Sequence, residues 1–186
     1  MQYAFQSIII QLTIGDITNQ PDMDAVVNAA NARLMPGGGV AGAIHRAAGP
    51  GLVQECRPLA PLKPGEAVIT SGQQLPNRWI IHCLGPVHGI DEPSDKLLAD
   101  CYRNAIEVAE RHGIERLAFP AISTGAFGYP LQDAADITAN ALKACLREDS
   151  SLSLIRFVLY DDSAFDAFQK AFGKAFATES TESTES

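Results

Sequence analysis

NAANARLMPGGGVAGAIHRAAGP, residues 28–50, carries the pattern on which the fold turns. Three consecutive glycines, Gly37, Gly38 and Gly39, run straight into VAGAIHRAA, which reads as the opening of a helix. Glycine lets the backbone take positive φ and approach a ligand with no Cβ in the way. The helix start adds unpaired N–H groups and the positive end of a dipole. Together they make a phosphate cradle that needs no lysine. A tight turn alone would need one glycine, so the triplet argues for a ligand.

Outward from this loop, short β-branched runs alternate with longer helical periods. The pattern predicts strands near 6–13, 24–28, 66–71, 78–84, 115–121 and 153–160. It predicts helices near 39–48, 51–57, 95–112, 131–148 and 163–176. In the third helix Leu97, Leu98, Cys101, Ala105, Ile106 and Ala109 recur at three- and four-residue steps. His112-Gly113 closes it as a C-cap would. The alternation predicts an α/β domain, layered, with helices on both faces of the sheet. No linker or repeat interrupts it, so one domain is expected over residues 1–177. The tail TESTESTES (178–186) is polar and repetitive. It buries too little apolar surface to order itself, and we expect it to be disordered and exclude it from the fold.

Composition narrows the functions. The chain has 186 residues, enough for one α/β core. Its longest apolar runs, such as SIIIQL (7–12), fall far short of the ~20 residues of a membrane helix. MQYAFQSIII has no basic region ahead of it and no small-residue cleavage site after it, so it reads as a first strand. Cys56, Cys83, Cys101 and Cys145 are widely spaced and form no C-x-x-C, which fits free thiols and a cytoplasmic protein. The four histidines make no ligand set, so no metal or other cofactor is expected. Net charge is −8, of which the tail supplies three through Glu179, Glu182 and Glu185. Such a balance disfavours nucleic acid or an anionic membrane as partner. A bound anion must be held locally, by main-chain N–H groups and helix ends.

A second loop repeats the glycine recipe. Ser123-Thr124-Gly125-Ala126-Phe127-Gly128-Tyr129-Pro130 precedes a helix starting near Leu131. Gly125 and Gly128 expose N–H groups, Ser123 and Thr124 add hydroxyls, and Phe127 offers an apolar face to a sugar. Taken alone, the loop reads equally well as a turn whose Ser and Thr bond their own backbone. Ligands of layered α/β folds sit at the carboxyl ends of strands. Two such loops at one end of one sheet therefore suggest a ligand with two phosphates. Asp16, in GDIT after the first strand, is an acceptor suited to an adenine amine, where guanine presents a carbonyl. It reads equally well as a turn cap. Three rivals are weaker. G-x-G-x-x-G matches at Gly37, Gly39 and Gly42, but about eight residues separate it from the strand, against the dinucleotide pattern. G-x-x-x-x-G-K-[ST] and G-x-S-x-G are both absent.

GDIT, NAAN, GGGV…AIHRAAGP, IIHCLGP, FPAISTGAFGYP and a strand ending FVLYDD occur in one order. That set resembles the macrodomain family, and more closely its MacroD-like branch, over roughly residues 7–172. The resemblance implies a three-layer α/β/α macrodomain with a central mixed sheet that binds ADP-ribose. It implies that Asp16 bonds the adenine amine, that Ile17 lies beside it with its N–H, and that Tyr160 packs on the adenine. Gly37, Gly38, Gly39 and Val40 would grip the diphosphate from one side. Ser123, Thr124, Gly125, Ala126, Phe127 and Gly128 would grip it from the other. Asn31 would contact the distal ribose, which Phe127 would flank, and Asn31 is the one candidate catalytic residue. Two departures stand out. Hydrolytic members read GGGGVDGAIH where this chain reads PGGGVAGAIH. Pro36 removes one N–H donor. Ala41 stands where those members have an aspartate tied to the attacking water, and alanine cannot act as a general base.

Two functions follow as expectations. The first is binding of ADP-ribose, free or as ADP-ribosyl groups on proteins, including mono-ADP-ribosylated ones. The second is hydrolysis of ADP-ribosyl esters such as O-acetyl-ADP-ribose, with weak or aspartate-independent activity. A nicotinamide-dependent oxidoreductase is disfavoured by loop spacing, and an RNA-binding protein by charge.

Overall fold

The computed structural model describes residues 1–178, which build one eight-stranded sheet with helices on both faces. In chain order the elements are β1 (Gln2–Phe5), β2 (Ile8–Ile14), β3 (Ala25–Ala29), α1 (Gly39–Ala48) and α2 (Gly51–Cys56). There follow β4 (Ala67–Ser71), β5 (Trp79–Cys83), α3 (Ser94–Arg111), β6 (Arg116–Phe119) and α4 (Leu131–Cys145). The last are β7 (Leu154–Leu159), α5 (Asp162–Ala175) and β8 (Ala177–Thr178). The strand order is β4-β5-β3-β6-β7-β2-β1-β8. The five inner strands from β5 to β2 are parallel, and the outer pairings are antiparallel. This is the three-layer α/β/α arrangement with a mixed sheet.

Period-two alternation explains the layers. Val27, Ile81, Leu117, Phe119, Phe157 and Leu159 point to one face and pack under α3, α4 and α5. Their neighbours Val26, Ile80, Ala118 and Val158 point to the other, under α1 and α2. Inner strands buried on both faces must read as nearly continuous apolar runs, as AVVNA and WIIHC do. The larger core centres on aromatics: Phe119 stacks on Phe157 at 5.3 Å, and Phe172 meets Phe157 edge-on at 5.1 Å. Each such side chain contributes about 1.5–3 kcal/mol by leaving water.

The N-terminal strand predicted over 6–13 is instead a hairpin, β1 and β2 joined at Gln6 and Ser7. Both turn residues take positive φ, 52° and 63°, as a tight two-residue hairpin loop requires. Neither is Asn, Asp or Gly, so composition does not flag the turn. The other predicted elements fall within a few residues of their places. Helix α2 gives way to a short 3₁₀ turn, Arg57–Leu59. Thr178, read as tail, pairs with Tyr3 in β8, and residues 179–186 lie outside the described residues. Among the described residues no helix is long and apolar enough to cross a membrane. All four cysteines are free thiols.

Because β2, β3, β5, β6 and β7 run the same way, their carboxyl ends share one edge of the sheet. The segments after Ile14, Ala29, Cys83, Phe119 and Leu159 all emerge there. This is where an open α/β sheet binds ligands.

Candidate functional site

The first loop is held open by its own side chain. Asn31 Nδ2 donates to Met35 O at 2.7 Å, and its Oδ1 accepts from Met35 N at 3.0 Å. That pair pins a turn over 31–35, beyond which Gly37, Gly38 and Gly39 lie exposed. Gly38 is the N-cap of α1, and no side chain caps the helix. Gly42 N–H donates to Gly38 O at 3.2 Å, so the N–H groups of Gly39, Val40 and Ala41 have no helical acceptor. Gly42 is required by close approach: a methyl carbon there would overlap the Gly37 carbonyl oxygen.

The second loop is braced from three sides. Tyr129 N–H donates to Ser123 O at 2.9 Å, and Gly128 N–H donates to Gly125 O at 3.0 Å. His88 N–H donates to Phe127 O at 2.9 Å, while the His88 ring packs on Tyr129 at 4.7 Å. The Thr124 hydroxyl turns back to donate to Ala121 O at 2.8 Å. Among the described residues no acceptor takes the N–H groups of Ser123, Thr124, Gly125, Ala126 or Phe127. Ser123, 6% exposed and at φ 66°, has a buried hydroxyl with no partner. Gly85 makes this possible, since a Cβ there would overlap the Ser123 Oγ and the Ile122 side chain.

The two loops face each other across a cavity of about 330 Å³. Of the sequence-predicted residues, Asn31, Gly37, Gly38, Gly39, Val40, Ser123, Gly125, Ala126 and Phe127 line it. Thr124 and Gly128 belong to the second loop but do not line the cavity. Asp16, Ile17 and Tyr160 lie outside this cavity, at the adjoining strand ends. Ile14 and Leu159 are register partners, and Gly15 N–H donates to Leu159 O at 3.0 Å, which sets Asp16 and Tyr160 just beyond the ends of neighbouring strands. Tyr160 is 62% exposed. Ile17 is buried in the α1–α2 core. Asp16 Oδ1 accepts from Thr18 Oγ1 at 2.7 Å and Thr18 N at 2.9 Å. Those bonds hold its carboxyl below the usual carboxylate range, so it is an ionised acceptor at neutral pH. Sequence reasoning missed Gly85 and His88. Gly85 stands in the HCLGP segment, but its reason, the approach of Ser123, is non-local. Among the described residues no lysine, arginine, aspartate or glutamate lines the cavity.

The macro domain family model matches residues 27–138, from the end of β3 through both loops into α4. The chain belongs to the macro domain family. The macro domain of Oceanobacillus iheyensis with ADP is 37% identical, with a TM-score of 0.89 over 94% of this chain and 95% of that one. A Trypanosoma brucei macrodomain in complex with ADP-ribose is also 37% identical, with a TM-score of 0.80 over 87% of this chain and 68% of that one. The O-acetyl-ADP-ribose deacetylase of Klebsiella pneumoniae is 41% identical over 165 residues, 86% of this chain and 94% of its own.

Under the cradle this macro domain carries a buried polar network. Asn28 Nδ2 lies 3.1 Å from His82 Nδ1, and His82 Nε2 lies 2.9 Å from Thr70 Oγ1. With the amide so oriented, Nδ1 accepts and Nε2–H donates to the hydroxyl. Burial, reinforced by His45, pushes the His82 pKa down to about 3 from 6.5. His45, buried in α1 with neither ring nitrogen bonded, is also pushed down by burial. The unfolded chain therefore binds more protons than the folded one as pH falls below about 6.5. Stability is full above that pH and is lost as pH falls towards about 3. Melting temperature is expected to decline between pH 6.5 and 4.5, before the carboxylates titrate, and His82→Phe should flatten that slope. Parallel profiles in the two proteins would show that His82 does not carry it.

Proposed function

We propose that this chain binds ADP-ribose, free or as the ADP-ribosyl group of a modified protein. The observation that carries the reading is the pair of loops whose unpaired amides face each other across one uncharged cavity. Such a clasp suits two linked phosphates, each taking N–H donors from one side, with the α1 dipole adding to the attraction. Asp16, ionised and turned to the same edge, takes the adenine amine, and Tyr160 covers the ring. Asn31 and Phe127 take the distal ribose. The Ser123 hydroxyl finds its partner on the ligand. The ADP-ribose complex of the trypanosome relative supports this reading.

A second reading, hydrolysis of O-acetyl-ADP-ribose, is favoured by the activity named for the Klebsiella relative. Against it stands Ala41, which lines the cavity and supplies no proton acceptor. Binding is the function we assign, with turnover slow.

Calorimetric titration tests it. ADP-ribose is expected to bind with a micromolar or tighter Kd. GDP-ribose should bind more weakly by about ten- to a hundredfold, the worth of one hydrogen bond to a charged acceptor. Asp16→Ala should lose a similar factor for ADP-ribose alone, with the melting temperature nearly unchanged because Asp16 is exposed. Equal affinity for the two nucleotides would remove Asp16 from its role. No heat with ADP-ribose at all would end the reading.

A further inference from the structure

We infer that the rim beside Asn31 recognises acidic side chains flanking the modified residue of an ADP-ribosylated protein, through Arg33 and Lys63. The inference rests on the ADP-ribose reading above, with Asn31 marking the end of the cleft where the acceptor emerges.

The chain carries −8 overall, yet between Asn31 and Lys63 it holds four cations, Arg33, Arg46, Arg57 and Lys63, against one carboxylate, Glu55. That carboxylate is occupied, accepting from Ser71 N and Oγ and from Gln73 Nε2 at 2.6–2.7 Å. Arg33 sits in the turn pinned by Asn31. Leu62 N–H donates to Ala32 O at 2.8 Å, which sets the backbone of Lys63 against that of Arg33. Both side chains are exposed. Arg46 extends the row: its guanidinium folds back towards Gly42, beside the Gly37 carbonyl. Among the described residues, none of Arg33, Arg46 and Lys63 makes an ion pair. Glu66 is the opposing charge nearby, and its Oε1 accepts from Lys63 N at 2.6 Å.

Charge complementarity selects the partner. The cavity itself is uncharged, so it distinguishes nothing about what surrounds the ADP-ribosyl group. An acidic segment would be repelled by most of this surface and attracted only where unpaired cations stand. Arg33, two residues from the cavity-lining Asn31, and Lys63 beside it would meet a peptide that leaves the cleft at Asn31. Exposed charges of this kind act on specificity and association rate more than on total affinity.

The test uses two synthetic peptides bearing ADP-ribose through the same non-hydrolysable link, one flanked by glutamates and one by glutamines. At low salt the glutamate peptide is expected to bind about fivefold more tightly, the effect of two exposed pairs. High salt should erase the difference. The double variant Arg33→Gln, Lys63→Gln should erase it too, leaving the affinity for free ADP-ribose unchanged. Equal binding of the two peptides overturns the inference, as does a preference that survives the double variant. Tighter binding of an ADP-ribose oligomer than of the glutamate peptide overturns it in favour of a polynucleotide-like partner. If free ADP-ribose itself fails to bind, the parent reading is what has failed.

Discussion

Ala41→Asp is expected to raise release of acetate from O-acetyl-ADP-ribose by about a hundredfold or more over the unaltered chain. Ala41 is the third residue of α1, 6% exposed, and lines the cavity. The helix dipole favours an acid in the first turn and offsets part of the cost of placing a carboxylate at this buried position. The new group would share the cavity with Asn31 and Phe127, which in the proposed complex take the distal ribose, within reach of an attacking water. It would also stand one turn above His45, on the same helix face. General bases contribute about 10²–10⁴-fold, which sets the size of the gain. ADP-ribose affinity should change little by comparison. The assay is acetate release at saturating substrate, alongside a titration with ADP-ribose. Fast turnover by the unaltered chain, or no gain in a variant that still binds, would show that position 41 does not decide between binding and chemistry.

Gly42→Ala is expected to weaken ADP-ribose binding by about a hundredfold while leaving the fold in place. Two effects oppose each other at this site. Alanine is a better helix former than glycine by about 1 kcal/mol, which favours the variant. The added methyl, however, must displace the Gly37 carbonyl, and such overpacking costs about 1–3 kcal/mol. The exposed 37–39 loop yields more readily than the buried helix, so the cost falls on the cradle. Melting temperature should then move by a few degrees at most, and calorimetry should record the loss. Gly173→Ala in α5 is the control, because nothing lies within 4 Å of its added carbon. That variant should gain stability and keep its affinity. If Gly42→Ala binds like the unaltered chain, the amides of Gly37 and Gly38 are not the ones that hold the ligand.

Much of this architecture is legible in the residues, and the reasons are local. AVVNA, WIIHC and the FVL run are apolar on both faces, which only an inner parallel strand tolerates. The triplet at Gly37 and the Gly125–Gly128 pair mark their loops without help from the fold. The turn at Asp16 is also local, closed by a residue two places on. What escaped depends on partners distant in sequence. Gly85 must be glycine because Ser123 lies against it. His88 holds the second loop through Phe127, 39 residues further along the chain. Asn28 meets His82 only because β3 and β5 are neighbours in register. The hairpin at Gln6 and Ser7 escaped for another reason: side chains sit there in a left-handed conformation usually left to glycine or asparagine.

The pairing of β1 with β8 sets Tyr3 opposite Thr178, so the chain's two described extremities meet on the last rung of the sheet. A short bridge could join them, and new ends could be opened in the turn at 147–151, on the edge opposite the glycine loops. Such a circular permutant would keep every strand neighbour and every amide of the clasp. It would place a fused fluorescent reporter well away from bound nucleotide, giving an ADP-ribose sensor whose signal does not obstruct its own site.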